Sequence, residues 1–284
     1  MIWVIANEVE NDGTLPTFNQ YKKAFKEGEI DICWAKQNED FSFLRCEDIV
    51  ILRTKDENIN KYIREAQKNI GFKSSLESQF TNFLTYDKEI VKPLLENYGI
   101  HHPKSYFLSE VRDGKKYFVK PRFGEDSRGV DKYSICSSKD KVKEKFFSLM
   151  SMGIEPLIED YIEGEEITSA VVKNLKLNQS EVYSIYTDPI NEIGIHTADI
   201  KRDFNFNVRK CELSCVEDIS QLVFTVLGSK HFLRIDFRLS SGVPYVIDLN
   251  MLPGMASNGY MAECMKTHGI DYYTFIKMLV NTAY

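Results

Sequence analysis

The stretch FLRIDFRLSSGVPYVIDLNMLPG, residues 232–254, constrains the fold more than any other part of the chain. Two apolar-rich runs flank a short turn, SSGVP, so they read as one antiparallel hairpin. Side chains alternate faces along a strand. Arg234, Asp236 and Arg238 therefore share one face, with Leu233, Ile235 and Phe237 opposite. On the second run Asp248 and Asn250 share a face, with Ile247 and Leu249 expected on the other. Pairing the runs brings Asp236 beside Asp248 and Asn250, with the Arg234 guanidinium next to them. Such hard oxygen donors suit Mg²⁺, which takes one or two carboxylates and otherwise water and substrate phosphates. Taken alone, the hairpin fits equally well as a solvated face with a chance acid-x-amide.

The rest of the chain divides by texture. Over residues 1–84 the order is strand (2–6), helix (17–28), strands (30–35 and 48–54), then a helix over 57–70 stopped by Gly71. Alternation of this kind predicts a small α/β domain with a parallel sheet. From 85 the pattern changes. DKEIVKPLLENYGIHHPKSY reads as a helix, a glycine turn and Pro103. Short strands joined by charged turns follow, with an amphipathic helix at 139–151 and a strand at 154–162. These predict a central α+β module over 85–163. The remainder, 164–284, reads as a C-terminal α+β domain with an antiparallel sheet. Its strands are expected near 166–174, 180–188, 232–239 and 244–251, and its helices at 216–228 and toward the end. Residues 188–210 are polar and weakly periodic and read as a functional loop.

Composition narrows the function classes. The chain has 284 residues, 43% hydrophobic and 27% charged, with a net charge of −6. This is ordinary for a soluble globular protein and argues against a nucleic-acid binder. No apolar run approaches the ~20 residues of a membrane span, and the opening MIWVIANEVE lacks a basic leader. The cysteines at 33, 46, 136, 211, 215 and 264 show no metal or disulfide spacing. They read as reduced thiols, and a cytoplasmic location is expected.

Two further segments carry candidate chemistry. In YFVKPRFGEDSRGV, Lys120 ends an apolar strand and a loop with Gly124, Ser127 and Gly129 follows. Glycines let backbone N–H groups approach phosphate oxygens, and a lysine adds a point charge. In LIEDYIEGEEITSAVV, Glu159 and Ile162 lie on an extended segment and Glu166 opens the next strand. An extended backbone can pair with a purine edge, and a glutamate can take ribose hydroxyls. Each segment alone also fits an ordinary charged turn.

The order of these pieces resembles the ATP-grasp superfamily, and within it the D-alanine–D-alanine ligase-like branch. The likeness covers roughly residues 85–260 and is most specific in RIDFRLSSGVPYVIDLNMLPGM. It implies an ATP-grasp fold and an ADP-forming carboxylate–amine ligase that works through an acyl phosphate, with ATP and Mg²⁺ as cofactors. It further implies roles for matching residues. Lys88, Lys120, Ser127 and Gly129 would meet the phosphates; Glu159 and the Ile162 backbone would meet adenine, and Glu166 the ribose. Asp236, Asp248 and Asn250 would hold the metal. Arg234 and the Gly254 N–H would stabilise the oxyanion. On the 188–210 loop, Lys201 or Arg202 is a candidate to close over the acyl phosphate. Substrates would be amino acids or peptides, and a homodimer is a state the resemblance allows. Departures are Asp248 where glutamate is usual, Gly259 where the dipeptide ligases carry serine, and no recognisable glutamate–serine pattern near the N-terminus. The second argues against D-Ala–D-Ala as product. Readings that remain open are transfer of an amino acid to a carrier-protein thiol, phosphorylation of a small molecule, and a non-catalytic nucleotide-binding module. Tyr183, Tyr186, His196 and Arg209 are weaker candidates for the acceptor site.

Overall fold

The computed structural model describes residues 1–7, 14–35, 40–54, 56–124, 129–190, 194–197 and 206–283. The N-terminal strands β1 (Ile2–Asn7), β2 (Ile30–Ala35), β3 (Ile49–Arg53) and β4 (Lys73–Ser74) form a parallel sheet in the order β2-β1-β3-β4. Helix α1 (Thr14–Lys22) starts earlier than its sequence pattern indicates, and ends before residue 28. Helix α2 (Glu57–Ile70) has defined ends. Asp56 accepts the Asn58 and Ile59 N–H groups, and Gly71 turns left-handed at φ 87° and donates to the Gln67 carbonyl. Its Ile59 and Ile63 are buried against the sheet.

The second sheet is antiparallel, in the order β5-β8-β6-β7, from β5 (Ser105–Tyr106), β6 (Tyr117–Pro121), β7 (Ile135–Cys136) and β8 (Pro156–Asp160). Val142 and Leu149 of α5 (Lys139–Ser151) close its core against Tyr117, Val119 and Ile158. The third sheet, also antiparallel, runs β11-β10-β9-β12-β13. Its strands are β9 (Glu165–Asn174), β10 (Gln179–Pro189), β11 (Phe206–Lys210), β12 (Phe232–Ser240) and β13 (Val243–Asn250).

Each face of this third sheet buries a separate core. On one side lie Leu84 from α3 (Gln79–Tyr86), Leu95 from α4 (Lys92–Asn97) and Val223 from α6 (Ser214–Val226), against Leu233, Ile235 and Phe237. The apolar side chains of residues 84–100 thus pack with the third sheet, while Asp87 and Lys92 bond toward the second. On the other side, α7 (Tyr260–Thr267) and α8 (Tyr272–Asn281) meet Ala170, Val172 and Phe232, and Val4 and Ile51 join them from the N-terminal sheet.

Two helices were not legible in the sequence. In α3 the exposed positions are Phe80, Phe83 and Tyr86, while Thr81 and Thr85 are buried, which inverts the usual apolar-inside pattern. In α7 Tyr260, Met261, Ala262, Cys264 and Met265 are all buried, so no polar face marks the period. The helix read into the segment around Lys88 is only α4; residues 87–91 form the turn before it. The stretch read as a loop over 188–210 ends in strand β11, paired with β10. Among the described residues no helix is long and apolar enough to cross a membrane.

Candidate active site

A cleft of about 570 Å³ separates the second sheet from the third. Strand register builds its floor. Thr168, Asp236 and Asp248 stand opposite one another across β9, β12 and β13. Ala170, Arg234 and Asn250 form the row on one side, and Glu166 faces Arg238 on the other.

A bulge at Asp236/Phe237 alters what simple alternation predicts: Asp236 pairs with Asp248 but Phe237 with Val246. Ile247 is the extra residue. Val246 and Leu249 consequently both enter the core, and Ile247 lines the cleft beside Asp248. The sequence-based expectation that Ile247 faces away is therefore corrected. The bulge also releases the Ile247 carbonyl from the ladder, and Lys120 Nζ donates to it at 2.9 Å.

The charges are arranged as a chain of partners. Asp236 Oδ1 accepts the Thr168 hydroxyl at 2.9 Å, and its Oδ2 lies 3.0 Å from Arg234 Nη2. Asp248 Oδ2 lies 3.8 Å from the same nitrogen, and its Oδ1 3.5 Å from Lys88 Nζ. Lys88 also donates to the Gly124 carbonyl. Its position is set by the neighbouring Asp87, which is buried and takes two 2.8 Å bonds from Arg122 at the end of β6. Burial pushes the Asp87 carboxyl up, but the Arg122 bonds prevail and hold it below its usual range.

Glu159 is 2% exposed and lies between two lysines, 2.7 Å from Lys120 and 2.6 Å from Lys92. Burial raises its carboxyl pKa, and the two ammonium groups together outweigh that and lower it. Lys92, itself buried, also bonds Ser105 and lies 3.2 Å from Glu89. Glu166 pairs with Arg238 at 3.0 Å, and Arg238 donates to the carbonyls of Gly164 and Gly194 at 2.8 Å each. His196 lies 3.8 Å from Glu166 and is bonded to the Tyr260 hydroxyl. The Tyr260 ring stacks on Phe206 at 4.6 Å, with the Arg234 guanidinium 5.6 Å from its centroid. Burial, and then Glu166 and Asp236, push the Tyr260 phenol far up, so it stays protonated.

Of the residues singled out from the sequence, Lys88, Lys120, Glu159, Ile162, Glu166, Asp236 and Asp248 line this one cleft. Arg234 touches both aspartates from beside it. Asn250 is 1% exposed, and its Oδ1 accepts the Leu252 N–H at 2.8 Å, so that oxygen already serves the strand end. Gly254 lies in the following loop, where the Pro253 carbonyl accepts Arg53 Nη2 at 2.7 Å. Gly129 lies off the cleft lining; at φ 84° a Cβ there would come within 2.8 Å of Leu149. Ser127, Lys201 and Arg202 lie outside the described residues. Of the weaker candidates, His196 lines the cleft. Tyr186 is instead buried beneath Arg209, whose guanidinium lies 3.4 Å from the ring centre.

Sequence reasoning missed Lys92 and Thr168, and noted Arg238 without a role. Only Glu89 lies near Lys92 in sequence; its partners Ser105 and Glu159 arrive from β5 and β8. Thr168 was within reach: it sits on alternating β9, two positions from Glu166, on the face that meets Asp236.

The described residues hold no group of three or more His, Cys, Asp or Glu side chains placed for a metal. The floor does offer two in-register carboxylates whose present neighbours, Lys88 and Arg234, are cations. That donor set fits a hard divalent ion that keeps water and substrate oxygens as its other ligands.

Comparison with known proteins places this arrangement. The model of the D-ala D-ala ligase C-terminus family matches residues 95–281. A D-alanine–D-alanine ligase A from Bacillus cereus is 25% identical over 239 residues, covering 76% of this chain and 73% of its own. The ligase from Fusobacterium nucleatum is 26% identical over 220 residues, covering 75% and 72%. Among solved structures, the Bacillus anthracis D-alanine–D-alanine ligase complexed with ATP superposes with a TM-score of 0.75 at 22% identity, over 99% of this chain and 96% of that one. The VanG D-Ala:D-Ser ligase from Enterococcus faecalis does so with a TM-score of 0.71 at 16% identity, over 99% and 98%. The three-sheet architecture is thus the ATP-grasp fold of these ligases, and the chain belongs to the D-Ala–D-Ala ligase family, whose C-terminal domain it carries over residues 95–281.

Proposed function

We propose that this protein is an ATP-dependent, ADP-forming ligase that activates an amino-acid or peptide carboxylate as an acyl phosphate and joins it to an amine. One observation carries the reading. Asp236 and Asp248 meet in register at the floor of the cleft, with Lys88 3.5 Å from one and Arg234 3.0 Å from the other. Carboxylates do not condense with amines in water unless activated, and phosphoryl transfer is accelerated mainly by positioning and electrostatics. This floor supplies both.

In this reading Asp236 and Asp248 hold Mg²⁺, with Asn250 contributing beyond its bond to Leu252. When bound, the ion draws charge off the γ-phosphate. Lys88 and Lys120 meet the phosphates; Glu159, expected beside adenine, is held between Lys92 and Lys120 and fixes the Lys120 ammonium from behind. The backbone at Ile162 faces adenine, and Glu166, held by Arg238, takes the ribose hydroxyls. Ser127 and Gly129 belong to the loop over the phosphates, and Lys201 to the segment that closes on the acyl phosphate. Arg234 lies between the aspartates and the Tyr260 ring, where it can face the tetrahedral oxyanion together with the Gly254 N–H. Asp248, one methylene shorter than glutamate, favours one tightly held ion. Gly259 carries no hydroxyl, and a Cβ there would lie 3.2 Å from the Ala256 carbonyl. We therefore assign a product other than D-Ala–D-Ala.

The test is ADP release across a panel of amino acids and amines, with mass spectrometry of products. Asp236→Asn and Asp248→Asn should each lower acceptor-dependent ADP release by about 10²-fold or more while leaving the circular dichroism unchanged. Wild-type rates in both variants would refute the assignment. A thioester on a carrier protein, a phosphorylated small molecule, or no product at all would point to the thiol ligase, the kinase or the binding module instead.

A further inference from the structure

Lys92 does not line the cleft, yet it is buried. A lysine is seldom buried unless its charge is paired. An ammonium carries three N–H donors, and each of those on Lys92 has an acceptor. Glu159 Oε1 lies at 2.6 Å, Glu89 Oε2 at 3.2 Å, and the Ser105 hydroxyl takes the third. Ser105 passes its own hydrogen to the same Glu89 oxygen at 2.6 Å. The Lys92 ammonium is therefore fully spent on the turn before α4, on β5 and on β8.

Lys120 is placed differently. Its ammonium donates to the Ile247 carbonyl at 2.9 Å and lies 2.7 Å from Glu159 Oε2. Among the described residues that leaves one N–H unspent, and Lys120 lines the cleft together with Ile247 and Asp248.

The charges divide in the same way. Glu159 is buried, so water does little to screen its carboxylate. With Lys120 alone it would form a neutral pair, and an anion in the cleft would feel little attraction. Two lysines on one buried carboxylate leave a surplus of one positive charge. Glu89 stands on the solvent side of Lys92, with its side chain 39% exposed, and its charge is largely screened. Because the Lys92 donors are all taken, the donor left to carry the surplus to a ligand is on Lys120.

We propose that Lys92 is a positioning residue for nucleotide binding. By occupying Glu159 Oε1 it confines Glu159 to its other oxygen in holding Lys120, and it leaves the remaining donor and the surplus charge for the phosphates. The inference rests on the nucleotide reading of the cleft.

Calorimetric titration of the whole protein with ATP and Mg²⁺ tests it, with thermal unfolding to check that each variant folds. Lys92→Met cancels the surplus charge and should weaken ATP binding by about tenfold or more. Lys92→Met combined with Glu159→Gln restores the surplus and should bind ATP within about threefold of wild type. Lys92→Arg, which keeps the charge, should do the same. A purely structural role for Lys92 predicts the opposite order, with the double variant at least as weak as the single one. No ATP binding by the wild type would overturn the nucleotide reading itself. ATP binding by the wild type, with folded Lys92→Met binding as tightly or the double variant failing to recover, overturns the role of Lys92 alone. If Lys92→Met does not fold, the two charge-keeping variants carry the test, and a loss of about tenfold in either overturns the proposal.

Discussion

At the residue scale, Glu159 is the group whose surroundings decide most. Its carboxylate is buried between Lys92 and Lys120. Removing one member of a buried ionic group leaves uncompensated charge, which costs about 3–5 kcal/mol. Glu159→Gln should therefore lower the urea-unfolding free energy by that order. An unchanged midpoint would show that the lysines rehydrate freely. Glu166 tests a different role. If it takes the ribose, Glu166→Gln should raise the KM for ATP more than it lowers kcat, and steady-state kinetics showing the reverse would remove that role. Sequence alone indicated both glutamates, because motif order named them. It could not indicate Lys92, whose burial arises only when α4 docks beside β5 and β8, a tertiary event with no local pattern.

At the scale of elements, the bulged hairpin is the decisive piece. Its existence and its register at Asp236 and Asp248 followed from alternation and a short turn. The bulge did not, because an extra residue leaves the composition of a strand unchanged. Its effect was to bring Ile247 into the cleft and release a carbonyl for Lys120. The turn before β9 is equally constrained. Gly164 sits at φ 151°, and a Cβ there would lie 1.9 Å from the Leu239 carbonyl oxygen. Gly164→Ala should destabilise by about 2–4 kcal/mol through strain and overpacking. It should also weaken ATP binding by displacing Glu166, two residues along. Gly242, left-handed at φ 79° with open space around it, is the control: Gly242→Ala should cost only about 1 kcal/mol. Equal losses in the two variants would show that conformation, rather than the close approach, governs Gly164.

Across the whole molecule, long-range polar bonds accompany the shared apolar core that joins the N-terminal and third sheets. Arg53 bonds the Pro253 carbonyl at 2.7 Å, Gln20 accepts the Ser257 N–H at 2.9 Å, and Thr81 bonds the Leu227 carbonyl at 2.9 Å. His231, fully buried at the start of β12, bonds the Thr282 carbonyl at 3.0 Å, and burial pushes its pKa down from 6.5 to about 4. The unfolded chain takes up this proton below pH 6.5, whereas the native state resists it until about pH 4. Stability should therefore fall as pH drops through that window, by about 3 kcal/mol in all, and His231→Gln should flatten the profile. Such long-range ties are invisible to periodicity, whereas the division into a parallel and two antiparallel sheets was legible from strand and helix order. The account as a whole rests on activation of a carboxylate by phosphoryl transfer in the cleft above Asp236 and Asp248. The direct measurement uses a substrate found in the ADP-release screen, labelled with ¹⁸O in its carboxylate, together with ATP, Mg²⁺ and the amine. One ¹⁸O atom per turnover should appear in the released phosphate, and phosphate free of label in the presence of coupled product would contradict the acyl-phosphate mechanism.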